Sequence, residues 1–474
     1  MKINFQTLAA ALMCALLAGC GAAATAPPAP TPAAQPQRTA LPPQPTPPAL
    51  AALAGRARAC DAPVDTATNP AQPQPDESAG PAVVHYDDDS NTIELRKGAQ
   101  ATLAAVGRTI GRPDALRELA PGEWLLSANL RVEAGAALRI AAPEVRWLKL
   151  RSDGGGFVWL KAQGGQLEIA GACVTSWDAG RQGYDQNEKD GRSFVLARSG
   201  AHMSIHGADL RYLGYNGPES YGLAWRQGGT TGEIVDSFVS HNFYGIYSFE
   251  VNDLVIRGNE VYSSTMYGID PHTASLRLVI EDNVAHDNGK HGIILAEECS
   301  DGVIRNNVAY DNLHHGIVIY QRSNNNLVEG NTAYGNGGHG INVNDSTNTT
   351  VRGNTVYDNL AAGIGVGQQA AASQVVGNRV FANRGDGVTL YSDVKDTLLR
   401  ENTISDNARY GVYLKSAGGM RLEGNQVTGN AIGVYLNVAQ PPEVSQDSNQ
   451  IHGNREADIS HSAAQPSPAP EEEP

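Results

Sequence analysis

From residue 236 onward the chain alternates short apolar runs with polar turn residues, and the alternation repeats. An asparagine just ahead of an apolar residue recurs at Asn259, Asn283, Asn307, Asn331, Asn354, Asn378, Asn402, Asn425 and Asn449, at intervals of 23 or 24 residues. A glycine followed by Ile or Val keeps step nine residues later, or eight in the last case, at Gly268, Gly292, Gly316, Gly340, Gly363, Gly387, Gly411 and Gly433. Each period holds two or three short β-branched runs, as in "LVIRGNEVYSSTMYGI", divided by Gly, Asn, Asp and Ser. No helical period is sustained, and proline is nearly absent inside the repeats. Short strands with turns between them, about 24 residues per period, predict an all-β solenoid in which each period is one coil of a right-handed parallel β-helix. A leucine-rich repeat has a similar length, but its Leu-x-x-Leu-x-Leu frame is missing. Stacked coils place aligned residues in ladders about 4.8 Å apart, so the Asn column reads as an internal amide ladder.

Residues 122–210 alternate in the manner of less regular coils. The pattern therefore predicts a β-helix over 122–462 with a cap region over 81–121. The flanks differ in composition. Residues 1–20, "MKINFQTLAAALMCALLAGC", combine a basic start with an apolar run too short to span a bilayer, which is a secretion signal. Its end, Leu17-Ala18-Gly19-Cys20, resembles a bacterial lipobox, in which Cys20 becomes the lipidated first residue of a periplasmic lipoprotein. Gly21 in the next position points to the outer membrane. An ordinary cleaved signal with a chance cysteine is the alternative. Residues 21–80 are rich in Pro and Ala and read as a disordered tether, and 463–474 as a disordered acidic tail.

The 474-residue chain carries a net charge of −15, which argues against nucleic acid and sits awkwardly with an anionic ligand unless a basic patch is held locally. Of five cysteines, Cys60, Cys173 and Cys299 remain after the signal region, an odd set without metal-ligand spacing. A Cys173–Cys299 bridge would suit an oxidising compartment, although nothing in the sequence demands it.

One coil departs from the rest. "YGIDPHT" (267–273) stands where neighbouring periods read "HGIILAE" and "HGIVIYQ". Strand alternation sends Ile269 and Pro271 inward and turns Gly268, Asp270 and His272 to solvent. The outward positions of adjacent coils hold Arg226, Tyr247 and Phe249 on one side, and Ile294, Ala296, Val318, Tyr320, Asn342 and Asn344 on the other. Just before the glycine runs a column of Tyr221, Tyr244, Tyr267, His291, His315 and His339, with Lys290 and His314 beside it. Such stacks commonly only stabilise a β-helix. Asp-Pro-His changes the balance, because proline removes a ladder donor, and an outward Asp and His two apart share a face on which the carboxylate can orient the imidazole.

Tyr267-Gly268-Ile269-Asp270-Pro271-His272 resembles the Y-G-[F/I]-D-P-H signature of the mannuronan (alginate) C5-epimerases, which are parallel β-helix enzymes. "DLRYLGYNGPESYGLAW", "YGIYSFEVNDLVIRGN" and "HGIVIYQRSNNNLVEGN" extend the resemblance to that family's periplasmic branch. It covers 122–440 and is most specific over 200–345. It implies His272 and Tyr267 as the acid/base pair and Asp270 as an essential carboxylate. There are departures: Thr273 stands where the family has Asp or Glu, Glu297 where the periplasmic branch has an Arg, and His314-His315 where the secreted branch has Arg-His.

Epimerisation at C5 removes a proton α to the uronate carboxylate and returns one to the other face of the ring. It needs a base, an acid and a cation or neutral donors at the carboxylate. Arg226, Lys290 and Arg322 are the available cations; Tyr244, His291, His314, His315 and Glu297 complete the expected substrate-binding set. The expected partner is an anionic, alginate-like polyuronate. No cofactor is expected; Ca²⁺ is used by the secreted branch and not by the periplasmic one, and no calcium loop is recognisable here. A polysaccharide lyase of the same fold, or a non-catalytic polysaccharide-binding lipoprotein, would present nearly the same residues.

Overall fold

The computed structural model describes residues 43–61, 80, 82–438, 442 and 448–462. The signal region with Cys20, most of the proline-rich segment and the acidic tail lie outside the described residues.

Three parallel sheets run the length of the molecule, and the chain visits them in turn. The first sheet carries Tyr244–Phe249, Ile269–His272, Ile293–Ala296, Ile317–Tyr320, Ile341–Asn344, Ile364–Gly367 and Val388–Tyr391 in consecutive coils. Each sheet sends an aliphatic column inward. Ile269, Ile293, Ile317, Ile341 and Ile364 form one, and Ile256, Ile280, Ile304, Val328 and Val351 another, all fully buried. Burying such columns coil upon coil is what drives the stacking, since no coil can cover its own apolar edge alone.

The asparagine column is a continuous ladder. Asn259, Asn283, Asn307, Asn331 and Asn354 each donate from Nδ2 to Oδ1 of the next at 2.9–3.0 Å. The residue before each Asn, such as Gly258, Asp282 or Asn306, has a φ between 56° and 67°, which explains why Gly, Asp and Asn precede it. A second ladder, unforeseen in the repeat, runs through Asn288, Asn312, Asn336, Asn359 and Asn383 at 2.9–3.0 Å. This second ladder explains the glycine column. A Cβ on Gly268 would lie 2.6 Å from the Gly292 carbonyl and 2.7 Å from Asn288 Nδ2, so only glycine fits. Asn307→Ala should be costly: it leaves the Asn283 N–H without its acceptor, removes the Nδ2 donor to the Ile280 carbonyl, and takes one of two hydrogen bonds from Asn283 Nδ2 and from Asn331 Oδ1. We expect a loss of about 3 kcal/mol or more, read as a lower urea midpoint.

Two boundaries differ from the sequence expectation. Coils begin inside 81–121, because Thr92–Leu95 and Gln100–Thr102 already belong to the first and second sheets. The helix Leu103–Ile110, packed on Val84–Asp87, Gln100–Thr102 and Ala137–Ala141, is the capping element among the described residues. The tether expectation also fails over 46–61. That segment lies along the third sheet as a strap: Ala49, Leu50 and Leu53 pack on Val284, Val308, Tyr310 and Tyr334, Arg58 sits 4.8 Å over the Phe238 and Tyr262 rings, and Asp61 pairs with Arg211 at 2.8 Å. Cys60 closes it with a disulfide to Cys173, so Cys173 does not pair with Cys299, which is free and buried. Beneath the strap a second external stack, also unforeseen, links Tyr262, His286, Tyr310, Tyr334, Tyr357 and Phe381 at 4.7–5.2 Å.

Candidate active site

The Tyr–His column forms as spaced. Successive ring centroids from Tyr221 through Tyr244, Tyr267, His291, His315 and His339 are 4.9–5.5 Å apart. Beside it, Ile269–His272 is an unbroken strand in register with Ile246–Phe249. Toward the following coil, however, only Ile269 and His272 find strand partners, in Ile293 and Ala296. The gap falls at Asp270 and Pro271, where proline brings no N–H to the ladder.

Asp270 corrects the expectation of a solvent-facing carboxylate. It points outward, in register with Tyr247, yet is 0% exposed. Tyr247 and Ile294, themselves nearly buried, crowd it from the adjacent coils, so this face is the floor of a cavity rather than open surface. Neither carboxyl oxygen has a hydrogen-bond partner. Burial, reinforced by the negative charge of Glu297 and opposed by Lys290, raises its pKa well above the usual carboxylate value, which favours the protonated, neutral acid.

Asp270 does not orient His272 either. Thr273, at a φ of 39°, turns its hydroxyl onto His272 Nδ1 at 2.7 Å and donates to Glu297 Oε2 at 2.9 Å. The single hydroxyl proton is spent on the carboxylate, so Nδ1 must be the donor to Thr273. His272 therefore keeps its lone pair on Nε2, which has no protein partner among the described residues. Burial and Arg226 hold its pKa below the ordinary 6.5 against the opposite pull of Glu297.

The histidines of the column have the opposite tautomer. The N–H groups of His315, His339 and Ala362 donate to Nδ1 of His291, His315 and His339 at 2.8–3.1 Å. Each ring must then carry its proton on Nε2. Burial, together with neighbouring histidines, pushes the pKa of His291 and of His315 down to about 3, so both are neutral donors. Burial is the main cause that pushes Tyr267 up to about 12, and Lys290 Nζ lies 3.5 Å from its phenol oxygen.

Tyr267, Asp270, His272, His291, Glu297 and His315 line one cavity of about 360 Å³, together with Ile294, Ala296, Val318, Tyr320, Asn342 and Asn344. The other expected residues lie outside it. Tyr244 supports Tyr267 from behind, and His314 is exposed, edge-on to His291. Arg226 packs 4.7 Å from the Phe249 ring two coils before His272. Arg322 turns away to pair with Glu298 at 2.9 Å, so it is no candidate cation for this cavity. Thr273, Tyr320, Asn342 and Asn344 are site residues that sequence reasoning left unassigned, although the last three occupy outward positions of the same two columns.

The local basic patch that the net charge of −15 called for is present. Arg131, Lys161, Arg198 and Arg226 project from the first sheet on the N-terminal side of the cavity. Arg131 pairs with Glu94 and Arg198 with Glu219, whereas Lys161 and Arg226 have no ion-pair partner among the described residues. Both instead lie against aromatic rings, Lys161 at 4.3 Å from Trp159.

Comparison with known proteins agrees with this architecture. A family model described as "Right handed beta helix region" matches residues 196–343, and one described as "Periplasmic copper-binding protein (NosD)" matches 323–455. A mannuronan C5-epimerase from Pseudomonas aeruginosa is 31% identical over 201 residues, which is 40% of this chain and 36% of that protein. Mannuronan C5-epimerase AlgG from Azotobacter vinelandii is 30% identical over 195 residues, 38% of this chain and 36% of its own length. The chain thus spans about a third of the length of the curated relatives it matches. The crystal structure of the periplasmic alginate epimerase AlgG superposes with a TM-score of 0.61 at 23% identity, covering 78% of this chain and 85% of that one. The chain is a right-handed parallel β-helix protein, and a stretch covering 40% of it is similar to a mannuronan C5-epimerase.

Proposed function

We propose that this protein catalyses C5-epimerisation of D-mannuronate to L-guluronate residues within a polymeric, alginate-like uronan. The observation that carries the reading is the pair of opposed tautomers: one histidine with a free Nε2 lone pair faces a cavity where two others present Nε2–H groups. His272 Nε2 takes H5, and the electron pair of the broken C–H bond spreads into the uronate carboxylate. The Nε2–H groups of His291 and His315, the neutral carboxyl of Asp270 and the Lys290 ammonium are the donors that offset that charge, in the place of the Arg that Glu297 replaces. Tyr267, across Asp270 from His272 along the strand, returns a proton to the opposite face of C5, with Lys290 beside the phenolate that forms. Turnover ends when solvent carries the proton from His272 back to Tyr267. No cofactor, Ca²⁺ included, enters these steps.

The same carbanion could expel the 4-O-linked sugar, so a lyase is the nearest alternative; a non-catalytic binder is the other. Incubation with poly-mannuronate separates them. New guluronate signals in the ¹H NMR spectrum support epimerisation, ultraviolet absorbance from unsaturated chain ends means elimination, and an unchanged polymer leaves only binding.

The periplasm is the compartment we infer. A secretion signal, a disulfide between Cys60 and Cys173 and the likeness to AlgG, a periplasmic epimerase, all support it. We further propose a lipid anchor at Cys20 in the outer membrane, and with net charge −15 no nucleic-acid partner. Cys20→Ser is expected to move the protein from the membrane fraction to the soluble periplasmic fraction. A mutant that fractionates like the parent rules the anchor out.

A further inference from the structure

Beyond the cavity the first sheet places two glycines outward in one strand, Gly365 and Gly367, in the columns that carry Asn342 and Asn344 one coil earlier. Neither has a left-handed φ, so backbone conformation does not call for glycine. Space does. A Cβ on Gly367 would lie 2.3–2.6 Å from three ring atoms of Tyr391, and one on Gly365 would lie 2.8 Å from Asn342 Oδ1.

Tyr391 belongs to the next strand, Val388–Tyr391, yet its ring folds back across Gly367. Its hydroxyl donates to Asn344 Oδ1 at 2.9 Å, two coils before its own. Asn342 and Asn344, both lining the cavity, are covered in this way to 2% and 7% exposure. The ring is therefore tied at its hydroxyl and backed by a residue with no side chain. The ring lies on the sheet at Gly367, 6.4 Å from the His339 ring, and stays partly exposed in line with the cavity along the solenoid axis. A flat, immobilised aromatic face suits the apolar C–H face of a sugar ring, and it costs no side-chain ordering on binding.

We infer that Tyr391 is a binding subsite for one pyranose ring of the polymer, remote from the reacting residue. The inference rests on the polyuronate reading above. Gly367 lies four coils beyond His272, about 19 Å at the spacing of stacked strands. A pyranose ring linked through O1 and O4 spans a length comparable to one coil rise, so the sugar on Tyr391 is about the fourth from the one being epimerised. The cations Arg226 and Lys161 border the opposite end of the same strip. The polymer thus meets charge on one side of the cavity and an aromatic platform on the other.

The test compares kcat/KM for C5 exchange on a mannuronate tetramer, which cannot span from His272 to Tyr391, with that on a dodecamer, which can. Tyr391→Ala should lower kcat/KM on the dodecamer about tenfold, the loss of one aromatic contact, mainly through KM, and leave the tetramer within about twofold of the parent. Tyr391→Phe keeps the ring but unties it, and should fall between the parent and Tyr391→Ala on the dodecamer. Gly367→Ala, which displaces the ring without removing it, should reproduce the dodecamer loss. A dodecamer value unchanged in Tyr391→Ala overturns the subsite, and so does an equal loss on both lengths, which would make Tyr391 a support for the cavity. A parent protein inactive on both oligomers instead overturns the proposed function.

Discussion

His272→Ala lowers the rate of C5 exchange by about 10²–10⁴-fold, the usual cost of removing a general base, and leaves the solenoid folded. His272 is half-buried on the outer face and makes one side-chain hydrogen bond, to Thr273, so the core does not depend on it. Tyr267→Phe should cost a comparable factor, because only the hydroxyl is lost while the ring stays stacked between Tyr244 and His291. Stability should barely move in either mutant. The pH profile follows from the same groups. The base must be neutral, and its pKa is depressed below 6.5, so activity falls only at more acidic pH, as protonation of His272 removes the lone pair. The acid limb of the parent therefore lies below pH 6.5. A motif that serves only the scaffold predicts the reverse pattern, with melting temperature falling in both mutants and activity following it.

Acidification should destabilise the folded state well before the carboxylates titrate. His291 and His315 have folded-state pKa values of about 3, against 6.5 when exposed in the unfolded chain. Between those values the unfolded state binds protons that the folded state refuses. The stabilisation is complete above pH 6.5 and is lost as pH falls toward 3. Each histidine contributes about 1.4 kcal/mol per pH unit, so the pair accounts for ~5 kcal/mol over two units. His339, depressed by burial, adds in the same direction. His286 opposes them: burial lowers its pKa, but the hydrogen bonds to Glu260 and Asp287 outweigh that and raise it, so its contribution is fully present at low pH and lost as pH rises. His241 and His272, also depressed, act with them, and Asp185, Asp270 and Asp386, raised by burial, act with His286; the large depressions at His291 and His315 decide a net loss. Urea midpoints measured from pH 7 to pH 4.5 should fall steeply. His315→Gln should flatten the slope by about one proton. A midpoint independent of pH over that range would show that the column is solvated rather than buried.

The coil repeat was legible because every coil obeys the same contacts. Gly268 and its equivalents recur since the next carbonyl and an asparagine amide leave no room for a Cβ, and the Asn259 column recurs since each amide satisfies its neighbour. The outward strip bearing Asp270 and His272 was legible from strand alternation, and Tyr267 from the column ahead of the glycine. Alternation gives a direction, however, and not what lies there. Tyr247 and Ile294, one coil away on either side, bury Asp270, and the backbone turn at Thr273 gives His272 a partner that the i, i+2 rule assigned to Asp270. The strap was hidden by its composition. Pro48–Leu53 sits in a proline- and alanine-rich segment, and its partners Val284, Val308 and Tyr334 are more than 200 residues away. Cys60 and Cys173, separated by 113 residues, carry no spacing signal at all.

Hydrogen exchange at C5 tests the central claim most directly, because it reports the proton transfer itself and not its downstream product. Poly-mannuronate incubated with the protein in deuterated water should acquire deuterium at C5, in step with guluronate formation and without unsaturated chain ends, and His272→Ala should slow it by about 10²–10⁴-fold. A polymer that keeps its C5 hydrogen, or one that is labelled only as it is cleaved, would contradict the account.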